Sequence, residues 1–327
     1  MSSEIDPRIR NLSYSSLLTL HTCPRKYQLY KLNTTHETPE DVKASITFAY
    51  GHLVGTGIQE LFEGKSWAEI LFNAFVHWNC DLFAEDSKQN KSFWGGINAL
   101  KQFSSMRDNG FLAEYELVVY NSKPACELSF AIELPDGFMY RGFVDAVLQH
   151  RITGEVVVLE CKTTNAATVN PATYKNSAQA IGYSIVLDAI FPSLSSYKVI
   201  YLVYQTKAES YAMIPFDKSY YQRALWIQEL LLDVEMIKLY EASSIYPMHG
   251  ESCYSFFREC EYYQICTLST ERLSTPYTEE IGQRIQAELA DYQIRVSLAD
   301  LVTAQLGKEH SKVEDVNVEI VNDGELL

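Results

Sequence analysis

Three residues carry the first chemical signal in this sequence: Asp145 in "YRGFVDAV", and Glu160 and Lys162 in "VVVLECKTTN". Strand alternation places Val156, Val158, Glu160 and Lys162 on one face, and Val157, Leu159 and Cys161 on the other. A hairpin closed by "RITG" (151–154) pairs Leu148 with Val157 and Asp145 with Glu160. Cβ atoms of directly opposed residues lie about 4.5–5.5 Å apart. Two carboxylates that close repel unless a cation joins them or one is protonated. A divalent metal satisfies both, and Mg²⁺ takes oxygen ligands while keeping waters that leave room for a phosphate. Lys162 points the same way and can neutralise charge developing in a phosphoryl-transfer transition state. The Cys161 side chain points away, but its backbone carbonyl is a candidate further ligand. On spacing alone, a solvated cross-strand ion pair is the alternative.

Gln179 and Tyr183 in "QAIGY" are four apart and share a helical face. The connection from Lys162 is short, so that helix must pack near the strand ends. There an amide and a phenol can hold a phosphate or brace Lys162. The alternative for Tyr183 is a plain core position.

These residues need a sheet with helices around it. "SYSSLLTLHTCPRKYQLYKL" (13–32) predicts two short helices with a turn at Pro24. Residues 45–83 and 92–112 read as helical. The period then shortens in "YELVVY", "ACELSFAIEL", "MYRGFVDAVLQH" and "EVVVLECKTT", an antiparallel meander punctuated by "NSKP", "PDG" and "RITG". A helix over 173–191, strands at 196–206 and 210–216, and a long helix over 219–242 follow. The plan is an α/β or α+β domain with a central mixed sheet.

The 327 residues are 47% hydrophobic, enough for a sizeable core, with a formal net charge of −15. No apolar run reaches the roughly 18 residues that span a bilayer, so no membrane partner is expected. The opening "MSSEIDPRIR" does not read as a signal peptide, which makes a cytoplasmic protein the expectation. Six carboxylates between Glu309 and Leu327, against Lys312 alone, form an acidic tail. Nucleic-acid binding must therefore use local basic groups. Arg8, Arg10, Arg25, Lys26 and Lys31 are the early candidates, unless they are simply solvated surface charges.

Taken together, "YSSLLTLHTCPRKYQLY", "YRGFVDAV", "VVLECKT" and "QAIGY" resemble the PD-(D/E)XK nuclease superfamily. The likeness is to its RecB-like branch, which includes phage exonucleases and the nuclease of CRISPR spacer acquisition. The resemblance covers most of residues 13–266. It implies a restriction-endonuclease-like core, with Asp145 and Glu160 as ligands of Mg²⁺ or Mn²⁺ and Lys162 as the catalytic lysine. Gln179 and Tyr183 then complete the catalytic set, and Arg25 and Lys26 are candidates for contact with nucleic acid. Many members carry G-x3-H on an early helix. In "YGHLVGTGIQEL" the glycine matches Gly51, which puts Gly55 at the histidine position, with His52 out of register. Gln59 lies one helical turn further on and is the candidate replacement ligand. Glu127 in "ACELSF" is another nearby carboxylate, though such residues are more often solvated strand positions.

Seven cysteines in a chain read as cytoplasmic do not suggest a disulfide framework. Cys253, Cys260 and Cys266 cluster late, and Cys23 stands alone early. Four thiolates fit a [4Fe–4S] cluster or a tetrahedral Zn²⁺ site; three scattered core thiols is the plainer alternative. The resemblance favours iron–sulfur, because the RecB-like branch contains members with this split. Cys80, Cys126 and Cys161 read as core thiols.

The expected organisation is a helical region over 1–112 with the first cluster cysteine, and a nuclease core over 113–242. A three-cysteine segment over 243–270 and a C-terminal extension over 271–327 follow. The expected function is a Mg²⁺- or Mn²⁺-dependent deoxyribonuclease, an exonuclease on single-stranded DNA ends in recombination, repair, replication or phage DNA processing. Recombination or replication proteins are its expected partners, in a bacterial or phage-infected cell. The alternative is a weakly catalytic protein that holds DNA ends.

Overall fold

The computed structural model describes residues 5–32, 46–78, 91–192, 194, 197–255, 258–270 and 276–309. Cys80, Phe256, Phe257 and the acidic stretch from residue 310 onward lie outside them.

The chain opens with α1 (Pro7–Arg10), the two-residue strand β1 (Asn11–Leu12), α2 (Tyr14–Thr22) and α3 (Pro24–Lys31). Ser13 caps α2 in a capping box with Ser16. The break falls at Cys23, which is extended and ends one helix while starting the next, with Pro24 at the first helical position. The next helices are α4 (Ile46–Phe62), α5 (Trp67–His77) and α6 (Phe93–Asp108). The run expected over 45–83 is thus broken before Ser66, whose hydroxyl and Glu69 form the capping box of α5.

The strands follow: β2 (Tyr115–Leu117), β3 (Val119–Tyr120), β4 (Lys123–Pro124), β5 (Cys126–Glu133), β6 (Met139–His150) and β7 (Val156–Thr164). After α7 (Ala172–Lys175) and α8 (Ala178–Ile190) come β8 (Lys198–Gln205), β9 (Ser210–Asp217) and α9 (Tyr220–Ser243). The small hairpin β10 (Tyr254–Ser255) and β11 (Arg258–Glu259) precedes α10 (Glu279–Ala290), β12 (Ile294–Ser297) and α11 (Leu298–Glu309).

The main sheet runs β12-β5-β6-β7-β8-β9, with β1 and β2 also pairing to β6. It is mixed: β5, β6 and β7 form the expected antiparallel meander, and β7 and β8 are parallel across the α7–α8 connection. The β6–β7 register pairs Leu148 with Val157, as the hairpin closure predicts. β12 has no counterpart in the strand pattern of the sequence; it adds to the free edge of β5 in parallel, opposite Phe130 to Glu133.

Helices cover both faces. On one, α2, α3, α8 and α9 pack over Val156, Val158, Val199 and Val203. On the other, α4, α5 and α6 pack over Val157, Leu159, Ile200 and Leu202. α4 and α6 meet through reciprocal glycines. A Cβ on Gly57 would fall 2.3 Å from Leu100, and one on Gly96 2.6 Å from Leu53. α8 is tied to α9 by the buried pair of Arg223 and Asp188, with Arg223 also donating to the Ser184 carbonyl at 3.1 Å. No helix among the described residues is long and apolar enough to cross a membrane.

Candidate active site

The face assignment of β7 places Glu160 and Lys162 on the side of α8, and Cys161 on the side of α4. On β5 and β6 the alternation changes sides. Leu128 and Val144 pack on the α8 side, yet Cys126 and Ala146, two residues along, pack on the α4 side. The residues between them are Glu127 and Asp145, and the flanking pairs Cys126–Ala146 and Leu128–Val144 put these two opposite each other. Glu127 takes a left-handed backbone conformation, φ 46°, which costs a non-glycine residue about 1 kcal/mol or more. That kink aims a carboxylate at the cleft. Glu127, Asp145 and Glu160 therefore stand on three neighbouring strands, and all three line one open cleft of about 530 Å³ beneath α4.

The β6–β7 ladder stops at Ala146 and Leu159. Where its next rung would fall, the Cys161 amide donates to Asp145 Oδ2 at 2.8 Å. Glu160 is only 1% exposed. Its Oε1 lies 2.5 Å from Lys162 Nζ, and its Oε2 has no hydrogen-bond partner. Burial, then the Glu160 charge, holds Asp145 well above the usual carboxylate range, against the pull of the Cys161 amide and Lys162. Burial likewise raises Glu160, with Lys162 opposing. Burial alone would lower Lys162, but Glu160 and Asp145 more than offset it, so the ammonium is held charged. Burial raises the Cys161 thiol far above its normal value, which makes it a poor nucleophile.

Lys162 Nζ donates to Gln179 Oε1 at 3.0 Å, and Gln179 Nε2 donates to Tyr183 at 2.7 Å. Gln179 lines the cleft, whereas Tyr183 is buried behind it against Phe130. The amide and phenol form a brace for Lys162. On α4, Gly51, Gly55 and Gln59 face the cleft. Gly55 leaves open space where a side chain would stand. Gln59 Nε2 donates to Glu127 at 2.8 Å, so the residue expected as a ligand steadies a carboxylate. Nothing in the sequence marked Glu127 beyond its being an acid on the neighbouring strand; the left-handed φ that turns it inward is a product of tertiary structure.

The early basic residues are largely engaged with protein. Arg25, 8% exposed, donates to the carbonyls of Cys266 at 3.0 Å and Leu268 at 2.6 Å, and to Thr270. Lys26 pairs with Glu261 at 3.2 Å. Arg8 pairs with Asp6, and Lys31 donates to the Asn11 carbonyl.

Arg25 thereby draws the three-cysteine segment onto the α2–α3 corner, where Cys23 sits. His249 also bonds the Thr22 carbonyl, and the Cys260 amide donates to the Cys253 carbonyl at 2.8 Å. Burial raises the Cys266 thiol; Arg25 opposes this, while Cys23, Cys253 and Cys260 add to it as neighbours. These four cysteines are free thiols. Among the described residues no three His, Cys, Asp or Glu side chains converge closely enough to hold a metal as they stand. At both places the donor chemistry fits one. Glu160 keeps a buried, unpartnered oxygen beside Asp145, and four thiols share one neighbourhood.

The buried carboxylate pair and the braced lysine stand on β6 and β7, the middle strands of the mixed sheet. Residues 11–267 match the model of the PD-(D/E)XK nuclease superfamily, and the chain belongs to that superfamily. No curated protein matches it. Among solved structures, it is similar to a presumed exonuclease from Eubacterium rectale at 12% identity and a TM-score of 0.47, covering 83% of this chain and 92% of that one. It is also similar to SSO0001 at 13% identity and a TM-score of 0.29, covering 77% of this chain and 96% of that one.

Proposed function

We propose that this nuclease is a Mg²⁺- or Mn²⁺-dependent deoxyribonuclease of the RecB-like branch, acting on single-stranded DNA ends. The observation that carries the reading is Glu160: a carboxylate buried to 1% with one oxygen unpartnered, beside a second buried carboxylate and within 2.5 Å of a lysine. Such a group is costly unless it serves a cation. Asp145, Glu160 and the Cys161 carbonyl would hold the metal. When bound, it supplies an activated water and polarises the scissile phosphate.

The chain's own residues do the rest. The Cys161 amide fixes the rotamer of Asp145, and Gln59 fixes Glu127. Lys162, kept protonated by the carboxylates, stabilises the negative charge that grows on the phosphoryl oxygens as water adds and the bond to the leaving oxygen breaks. Gln179, itself held by Tyr183, keeps the Lys162 ammonium in place. The preference for ends over internal sites rests on the resemblance to the RecB-like branch. So does the assignment of a [4Fe–4S] cluster to Cys23, Cys253, Cys260 and Cys266, where it would fasten the last segment to the first helices.

The test is cleavage of end-labelled linear single-stranded DNA with Mg²⁺ or Mn²⁺, run beside Lys162→Ala. Metal-dependent loss of label that the variant abolishes is the expected result. Equal behaviour of the two proteins would remove the catalytic reading. The altered histidine position favours the second reading, a protein that binds ends with little cleavage. In that case both proteins bind and neither cuts.

A further inference from the structure

α4 lies between two depressions. One is the catalytic cleft. The other is an apolar groove of about 180 Å³ between α4 and α5, walled by Leu53, Ile70, Ala74 and Trp78. Phe48, His52 and Thr56 line both. Phe48 is 76% exposed, and its ring lies parallel to that of His52, with centroids 6.5 Å apart and 2° between planes. Two ring faces are thus held in one orientation at the passage from cleft to groove.

Charge narrows the choice of occupant. Among the described residues lining cleft and groove, Lys162 is the one Lys or Arg, and it is paired with Glu160. Glu127, Asp145 and Glu160 are acids and offer a phosphate no cation. Without the metal, a strand held there meets few cationic side chains among the described lining residues, and its bases offer a second source of grip. Every base has a ring face, and stacking on an aromatic side chain is worth about 5- to 150-fold in affinity per base. The groove also has a polar end where Asn73 donates to Glu60 at 2.6 Å, within reach of a base edge.

We propose that the groove between α4 and α5 seats one unpaired base of the substrate strand, stacked on Phe48 and His52, next to the scissile phosphate. This rests on the nuclease reading above and deepens it. A paired base cannot enter without leaving its helix, so the groove selects single-stranded or frayed ends, and it does so without reading sequence.

The experiment compares the binding of two labelled oligonucleotides of equal length, oligodeoxythymidylate and its fully abasic counterpart, in EDTA to prevent cleavage. Wild type is expected to bind the base-bearing strand at least about fivefold more tightly. Phe48→Leu keeps an apolar side chain but removes the ring face, and should bring that ratio close to one with an unchanged thermal midpoint. Phe48→Tyr should preserve it. The plot of log affinity against log salt should be shallow, since each phosphate contact on a single strand adds a slope of only about −0.7. Equal affinity for the two strands in wild type overturns the proposal, as does a ratio that survives Phe48→Leu. Metal-dependent cleavage without base discrimination would sink the groove and leave the nuclease standing; discrimination without cleavage would do the reverse.

Discussion

The backbone amide of Cys161 donates to Oδ2 of Asp145 at 2.8 Å, in the place of the next rung of the β6–β7 ladder. A side chain completes the pairing that the backbone abandons, and the strands part just enough to seat Asp145 and Glu160 side by side. Asp145→Asn retains an oxygen to accept that bond and removes one of two buried like charges. The variant should melt no lower than wild type and lose cleavage by about a hundredfold or more. A large drop in melting temperature would mean that the charge itself holds the strands, contrary to this reading.

Lys162 depends on Gln179. Gln179→Ala should lower kcat by about tenfold with KM little changed, because it frees the ammonium without deleting it. Gln179→Glu should recover most of the rate, since a carboxylate can hold the same ammonium. An effect confined to KM would instead place Gln179 on the DNA.

The carboxylates set a pH dependence. Asp145 and Glu160 are both raised in the folded protein, mainly by burial. Such groups contribute stability that is full below their unfolded values and is lost as pH rises through the folded ones. In EDTA the melting temperature should therefore fall as pH rises above the ordinary carboxylate range, by an amount that Glu160→Gln reduces. Mg²⁺ should offset the loss, and its apparent affinity should rise with pH as the protons leave. A melting temperature with the same slope in Glu160→Gln would assign the effect to the general acidity of the chain.

Gly55 faces the cleft and a side chain there meets open space. Gly55→His should fold, gaining about a few tenths of a kcal/mol from the loss of a helical glycine. It should also tighten Mn²⁺ binding, measured by calorimetry, by about tenfold. Unchanged Mn²⁺ affinity in a folded variant would show that α4 stands too far from the carboxylates to supply a ligand.

The four cysteines can be read by colour. Broad visible absorption with stoichiometric iron is expected of protein purified without air, and Cys266→Ser should abolish it and lower the melting temperature. Colourless protein carrying one zinc would move the assignment to a tetrahedral thiolate site.

Much of the central sheet was legible in the sequence because its cues are local. β6 occupies the residues its alternation marks, and "RITG" fixes the hairpin register that brings Asp145 toward Glu160. The four residues of β12 carry no comparable cue; they become a strand because β5 offers an unpaired edge. The reversal of faces at Glu127 and Asp145 was equally hidden. Alternation assumes an unbroken pleat, and a left-handed residue within β5 breaks it. Arg25 illustrates a third limit: its charge is visible in the sequence, but its burial under Leu268 and Thr270 depends on a segment more than two hundred residues away.

Gly57 and Gly96 let α4 and α6 approach until Leu100 and Leu53 touch backbone. That contact is a gauge. α4 carries Phe48, His52 and Gln59 along the open cleft, so the spacing of α4 from α6 also sets where one wall of that cleft stands. One methyl group on Gly96, which does not line the cleft, would meet Leu53 at 2.6 Å and force the two helices to readjust. Two missing side chains thus fix, from behind, the seat of the helix that walls the cleft.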